Sequence, residues 1–253
     1  AGVQTTGVQT LDIQDFTDSG VVTYDVALMN GLNAVSLSAS GVNGDVEISN
    51  LTTVTDASMK NGSGDLTMTY TAAAVVGTAD TQNLTLSNTA AGGFAAAGIE
   101  TIAITSELVN NIVASVTGAQ LTSVNIAGDK NLTITTGLVS AVTTVDASAA
   151  TGKVSVGIQT GGDVTVTGGS GDDTITIAGL TKADTIDGGD GEDTLVVAGS
   201  TTQTFTDHKL SNIETLALGF AADSSVDVKA IDDTVGLALS ISADDKNITV
   251  NNL

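Results

Sequence analysis

Cysteine, proline, tryptophan and arginine are all absent from this 253-residue chain, and each absence closes off a class of structure or chemistry. Without cysteine there are no disulfides and no thiolate metal sites, a state that suits a reducing compartment or an exported protein built without staples. Without arginine, the seven basic side chains are all lysines, set against 29 acidic ones, for a formal net charge of −22. Such a surface repels nucleic-acid phosphates, so no nucleic-acid partner is expected, and it attracts cations. Aromatic residues make up 2% of the chain, so the core has to be built from Val, Ile, Leu and Ala. No run of eighteen apolar residues occurs, and no transmembrane segment is expected. The opening AGVQTTGVQT has neither a basic n-region nor an apolar h-region, so no Sec signal is expected there. An Ala in first place fits a processed protein or a segment of a larger one.

The equipment of common enzymes is missing as well. No GxSxG elbow, GxxxxGK[ST] loop, HExxH helix or EF-hand loop is present. The single histidine, His208, sits in a polar DHK context, and the acid pairs Asp232-Asp233 and Asp244-Asp245 read as solvated turns rather than catalytic dyads. The chain is therefore not expected to be an enzyme. Five Asn-x-Ser/Thr sequons, at Asn50, Asn61, Asn83, Asn131 and Asn247, are what a Thr-rich strand protein produces by chance.

What is present is 41% apolar residues and 29 glycines, enough aliphatic surface to offset the entropy of ordering. A short motif alternating apolar and polar residues recurs along the chain: VQTLDI at Val8, LNAVSL at Leu32, IETIAI at Ile99, LTSVNI at Leu121, VTTVDA at Val142 and IETLAL at Ile213. A second strand follows each time, as in GDVEIS, GDLTMT, NLTLS, NLTIT, GKVSV, GDVTVT and NITV. Gly, Asn, Asp and Ser clusters such as SGVNGD and KNGSGD connect them and supply positive-φ positions. Recurrent strands with like turns predict an all-β chain, a parallel β-solenoid over 1–253 as one continuous region, in which stacked rungs place like residues over like. Asn83, Asn131 and Asn247, each ahead of an apolar strand, fit a turn-side ladder. The lack of proline agrees, because in a stack nearly every strand amide is needed by a neighbour. An antiparallel β-sandwich is the alternative, since it also has short strands and frequent turns. The Ala-rich segment between Thr71 and Gly98 is open between a short helix and an excursion loop, and the segment from Glu107 between helix and strand.

One stretch differs in kind. Gly168 to Thr176 reads GGSGDDTIT and Gly188 to Val196 reads GGDGEDTLV, two copies of the nonapeptide GGxGxDxUx, with a degenerate third copy, GLTKADTID, between them. If successive nonapeptides lie on opposite sides of a roll, the two intact loops share one side, a rung apart, and the degenerate loop with Asp184 lies across from them. Stacking then brings Asp173 and Asp193 together. Ca²⁺ accepts six to eight oxygens from carboxylates and carbonyls alike, and loops turned by Gly169, Gly171, Gly189 and Gly191 can present both, with Asp172 and Asp190 adding charge. Asp173, Asp193, these four glycines, Asp172 and Asp190 are the candidate metal site, with calcium as the cofactor. A plain tight turn, its Asp acting as a local cap, is the competing reading.

With these loops, the FTDHKLSNIETLAL segment from Phe205 and the Thr, Ala, Val and Gly-rich strands on both sides, the chain resembles RTX-type (repeat-in-toxin) proteins. More closely, it resembles surface-layer proteins of Gram-negative bacteria that carry such repeats. The resemblance implies type I secretion, calcium-dependent folding outside the cell, and self-association into a lattice on the bacterial surface. Contact with cell-surface polysaccharide would rest on parts of a parent protein outside this sequence. A repeat segment of a secreted RTX adhesin is the alternative.

Overall fold

The computed structural model describes residues 4–17, 20–159, 162–181, 183–200, 203–204, 209–220, 224–227, 238–242 and 248–251. His208, Asp232, Asp233, Asp244, Asp245 and Asn247 lie outside these residues. Among the described residues there is no helix, and every strand ladder is parallel, so the chain is an all-β, parallel solenoid. Parallel pairing throughout rules out the antiparallel sandwich. Among the described residues no helix is long and apolar enough to cross a membrane.

The chain divides into two compact units, 1–136 and 137–253. In the first, one sheet stacks Thr10–Asp15, Ala34–Ser40, Asp56–Gly62, the first half of Thr81–Ala97, Thr101–Glu107 and Ser123–Gly128. The facing sheet stacks Val21–Asp25, Asp45–Leu51, Leu66–Tyr70, the second half of Thr81–Ala97, Asn111–Thr117 and Leu132–Ile134. Period-two alternation sends Val35, Leu37, Met59, Leu84, Leu86, Ile102 and Ile104 inward from one sheet, and Val46, Ile48, Leu66, Met68, Phe94 and Val113 inward from the other; all are buried. The apolar residue opening the recurrent motif plugs the corner before its strand, and Leu32, Ile99 and Leu121 are all buried.

The first of the two open segments is an excursion loop only in part, and its Ala-rich half is strand rather than helix or loop; the second is strand. Residues 71–80 form a turn-rich excursion, so Ala57 pairs with Leu84, 27 residues on, whereas Thr101 pairs with Ser123, 22 residues on. The Ala-rich part continues as strand Thr81–Ala97, which bends through the corner at Asn88 and Ala91, both at positive φ. The segment from Glu107 turns at Leu108 and becomes strand Asn111–Thr117. Its helix-like spacing comes from Leu108 and Ile112 facing solvent while Val113 and Val116 face the core.

In the second unit one sheet stacks Thr144–Ala150, Thr165–Thr167, Thr185–Asp187 and Lys209–Ser211. The other stacks Val154–Ile158, Thr174–Ile177, Thr194–Ser200, Thr215–Phe220 and Ala238–Ser242. Here the ladders run like over like: Val145, Val166 and Ile186 in one sheet, and Ile158, Ile177, Val197 and Leu218 in the other, with one register shift after Ala198. Each fully buried aliphatic side chain of this kind contributes about 1.5–3 kcal/mol.

Candidate functional site

Both intact nonapeptides fall on the corner where the chain passes from the first sheet of this unit to the second. Thr174 pairs with Thr194, 20 residues on, so the 168–173 loop lies directly over the 188–193 loop. The degenerate copy joins Thr174–Ile177 to Thr185–Asp187 and so occupies the opposite corner, as its phase predicts.

Close stacking explains the glycines. A β-carbon on Gly168 would land on the carbonyl of Gly188, and one on Gly188 would land on the carbonyl of Asn212 in the next turn. Gly189 and Gly191 also have positive φ, 95° and 128°, a region that L side chains rarely adopt. Gly169 and Gly171 press against the backbone of Ala150 and of Gly152 and Lys153.

The acids divide by direction. Asp173 and Asp193 point inward, each 1% exposed, whereas Asp172, Asp190 and Glu192 are exposed on the outside of the corner. The Asp173 carboxylate accepts the amide of Val154 at Oδ1 and of Gly169 at Oδ2, both at 2.7 Å. One rung on, Asp193 Oδ1 accepts the amide of Asp173 at 2.7 Å. One rung further, Glu214 Oε2 accepts the amide of Asp193 at 2.6 Å. The corner is thus a column of carboxylates, Asp173, Asp193 and Glu214, the last two of which each hold the amide of the acid before. On the outside, Asp172 Oδ1 accepts the amide of Glu192 at 3.0 Å.

Burial raises the carboxyl of Asp193 to about 6; the nearby charges of Asp173, Glu214 and Asp172 push the same way, against the Asp173 amide. Asp173 is also raised, chiefly by burial, with the Gly169 and Val154 amides and the charge of Lys153 opposing. At the opposite corner Asp184, 0% exposed, accepts the amides of Val164 and Thr181 and the Thr181 hydroxyl, so its carboxylate is satisfied by the protein alone.

Asp193 is not so satisfied. Its Oδ2 is buried and has no hydrogen-bond partner, because the amide of Gly189, the counterpart of Gly169, donates to Asp187 Oδ1 instead, at 3.3 Å. A buried carboxylate oxygen without a donor is the kind of group that a cation satisfies. Among the described residues no three acidic or histidine side chains converge to hold a metal ion. A cation here would therefore lean on backbone carbonyls as well as on carboxylates, which suits calcium better than a metal that demands nitrogen or sulfur.

Glu214 was not among the candidate residues read from the sequence. It precedes strand Thr215–Phe220 as Asp193 precedes Thr194–Ser200, 21 residues on rather than 20, and lies in SNIETL, which has lost the loop glycines. Counting rungs rather than matching the nonapeptide would have found it.

The asparagine ladder also runs elsewhere than the sequence predicts. Asn83 and Asn131 belong to different ladders, Asn83 donating to Asp56 Oδ1 and Asn131 pairing across to Asn110. The stacked pair is Asn61 and Asn88, joined side chain to side chain at 3.0 Å, both at positive φ. No family model matches the chain, and neither a curated protein nor a solved structure shows significant similarity to it.

Proposed function

We propose that this chain is a segment of a calcium-stabilised, extracellular structural protein of the bacterial surface-layer kind, and that it associates with copies of itself rather than turning over a substrate. The observation that carries this reading is the corner of the second unit, where two glycine-carboxylate loops stack and a buried carboxylate oxygen is left without a donor. Calcium bound there would be held by Asp193 with backbone oxygens of the stacked glycine turns, and Asp173, Asp172 and Asp190 would add negative field around it. The ion supplies positive charge to a corner whose acids otherwise repel one another, so its binding free energy becomes folding free energy.

Self-association is supported by the charge and the architecture together. A chain of net charge −22 keeps its copies apart until divalent ions neutralise or bridge the acidic surface. A solenoid also presents strand edges that another chain can extend. The resemblance to surface-layer proteins adds type I secretion and a cell-surface setting to the proposal. Light scattering and negative-stain imaging across a Ca²⁺ titration, with Mg²⁺ and NaCl at matched ionic strength, test it. Sheets or oligomers should appear with calcium alone; a monomer persisting at high calcium would support the adhesin-spacer alternative instead.

A further inference from the structure

Several polar side chains buried in this solenoid have every polar atom partnered, mostly by the backbone. Asn111, 1% exposed, accepts the amide of Thr89 at 2.9 Å and donates among the carbonyls of Leu86, Glu107 and Val109 and the hydroxyl of Ser106. Thr89 donates to the carbonyl of Met59. Asp173 and Asp184 each receive amides on both oxygens. Asp193 departs from this pattern, and it does so where the next rung supplies a second acid at the same register position. Asp15 also has a buried oxygen without a partner, but the residue paired with it on the next rung is Ser40, which brings no charge. Asp80 has an orphan Oδ2 as well, and Glu100 Oε2 accepts its amide at 2.9 Å, but Asp80 as a whole is only half-buried, whereas Asp193 is 1% exposed.

The surroundings of the orphan oxygen are specific. Asp193 Oδ2 faces the α-carbon of Gly188, 2.6 Å from where a β-carbon would stand, and the carbonyl of Asn212 converges on the same point from the following turn. The same pair of groups recurs one rung earlier, where Asp173 Oδ2 and the carbonyl of Gly188 meet over Gly168. There, however, the Gly169 amide neutralises the carboxylate oxygen. Loops identical in motif thus differ in their need for a cation.

We infer that the cation site of this corner lies between the Gly188–Asp193 loop and the Ser211–Glu214 turn, with Asp193, Glu214 and the carbonyl of Asn212 as ligands, while the Gly168–Asp173 loop closes on its own amides. This rests on the calcium reading above and assigns the ion to a turn that carries no nonapeptide. A second carboxylate is what a divalent ion needs there, because one buried Asp alone leaves a net positive charge uncompensated. Glu214 suits the role: its Oε2 already reaches the Asp193 amide at 2.6 Å, and the side chain is only half-buried, so its other oxygen is not locked into the core.

Isothermal titration of Ca²⁺ into the chelator-stripped full chain tests this with three isosteric variants. Asp193→Asn and Glu214→Gln should each weaken binding by about tenfold or more, whereas Asp173→Asn should change affinity by less than about threefold while lowering the Tm in chelator. Glu214→Gln keeps an oxygen for the Asp193 amide, so circular dichroism should show its fold intact and any lost affinity reports ligation. Calcium binding by the wild type that is untouched in Glu214→Gln, but lost equally in Asp173→Asn and Asp193→Asn, would overturn the assignment while leaving the calcium reading standing. A wild type that binds no calcium would overturn both.

Discussion

A carboxylate buried at a turn can be relieved by amides, by a proton or by a cation, and the corner acids of the second unit differ in which of these they have. Asp193, with one amide and one orphan oxygen, has its carboxyl raised to about 6 from an ordinary 3.8. The sign for stability follows from linkage: without metal, the folded state holds this proton more tightly than the unfolded chain does. The associated stability is fully present below 3.8 and is lost as pH rises through about 6. Asp173 is shifted in the same direction. The chelator-treated protein should therefore melt at higher temperature at about pH 4.5 than at about pH 7.5, and Asp193→Asn should flatten that slope, which differential scanning calorimetry can follow. A slope unchanged in Asp193→Asn would place the effect in the overall charge instead.

Leu108 offers a second test at this scale. It sits at φ 64°, 72% exposed, one rung after Asn88 and two after Asn61, which hold the same left-handed conformation at 62° and 51°. A leucine strains that conformation and an asparagine tolerates it. Leu108→Asn should stabilise the fold by about 0.5–1 kcal/mol, read as a raised denaturation midpoint; a destabilised variant would mean that Leu108 makes packing contacts worth more than its strain.

At the scale of the strand, stability lies in inward ladders and in amides shared on both sides. Ile177 stacks between Ile158 and Val197 and is fully buried, so Ile177→Ala should cost about 2–5 kcal/mol in chemical denaturation. Thr176→Pro, on the outer face of the same strand, should cost about 3 kcal/mol or more by removing a ladder amide, although it touches no core side chain. A tolerated proline there would contradict the reason given for the chain's lack of proline.

Alternation made these strands legible in the sequence, because a two-sided strand in a thin rung has to alternate, and the opening motifs at Leu32, Ile99, Leu121 and Val142 all lead into the same type of strand, the first sheet of their unit. IETLAL at Ile213 looks the same yet leads into Thr215–Phe220 of the other sheet, since which sheet a strand joins depends on the length of the turns before it, not on its own pattern. The phase of the nonapeptides was legible for a simpler reason: an unbroken 20-residue spacing leaves one way to stack them. The unequal satisfaction of Asp173 and Asp193 was not, because it turns on whether a single glycine amide points to one carboxylate or to its neighbour, and the two loops have the same motif.

At the scale of the whole molecule the excess of 22 negative charges is the dominant long-range force, and it acts against both compaction and association. Monovalent salt screens it within about 8 Å at physiological ionic strength and does so everywhere alike. A bound divalent ion acts at one place, and at the corner of the second unit the fold leaves a fully buried carboxylate oxygen, Asp193 Oδ2, beside a second acid for it to satisfy. The central claim, that calcium completes this corner, is therefore tested most directly by amide hydrogen exchange with calcium and with chelator at equal ionic strength. The account predicts that calcium slows exchange in the 165–197 and 209–218 segments, most of all at the Asp173 and Asp193 amides that the next acid in the column holds. Exchange in these segments that is the same with calcium as with chelator would contradict it.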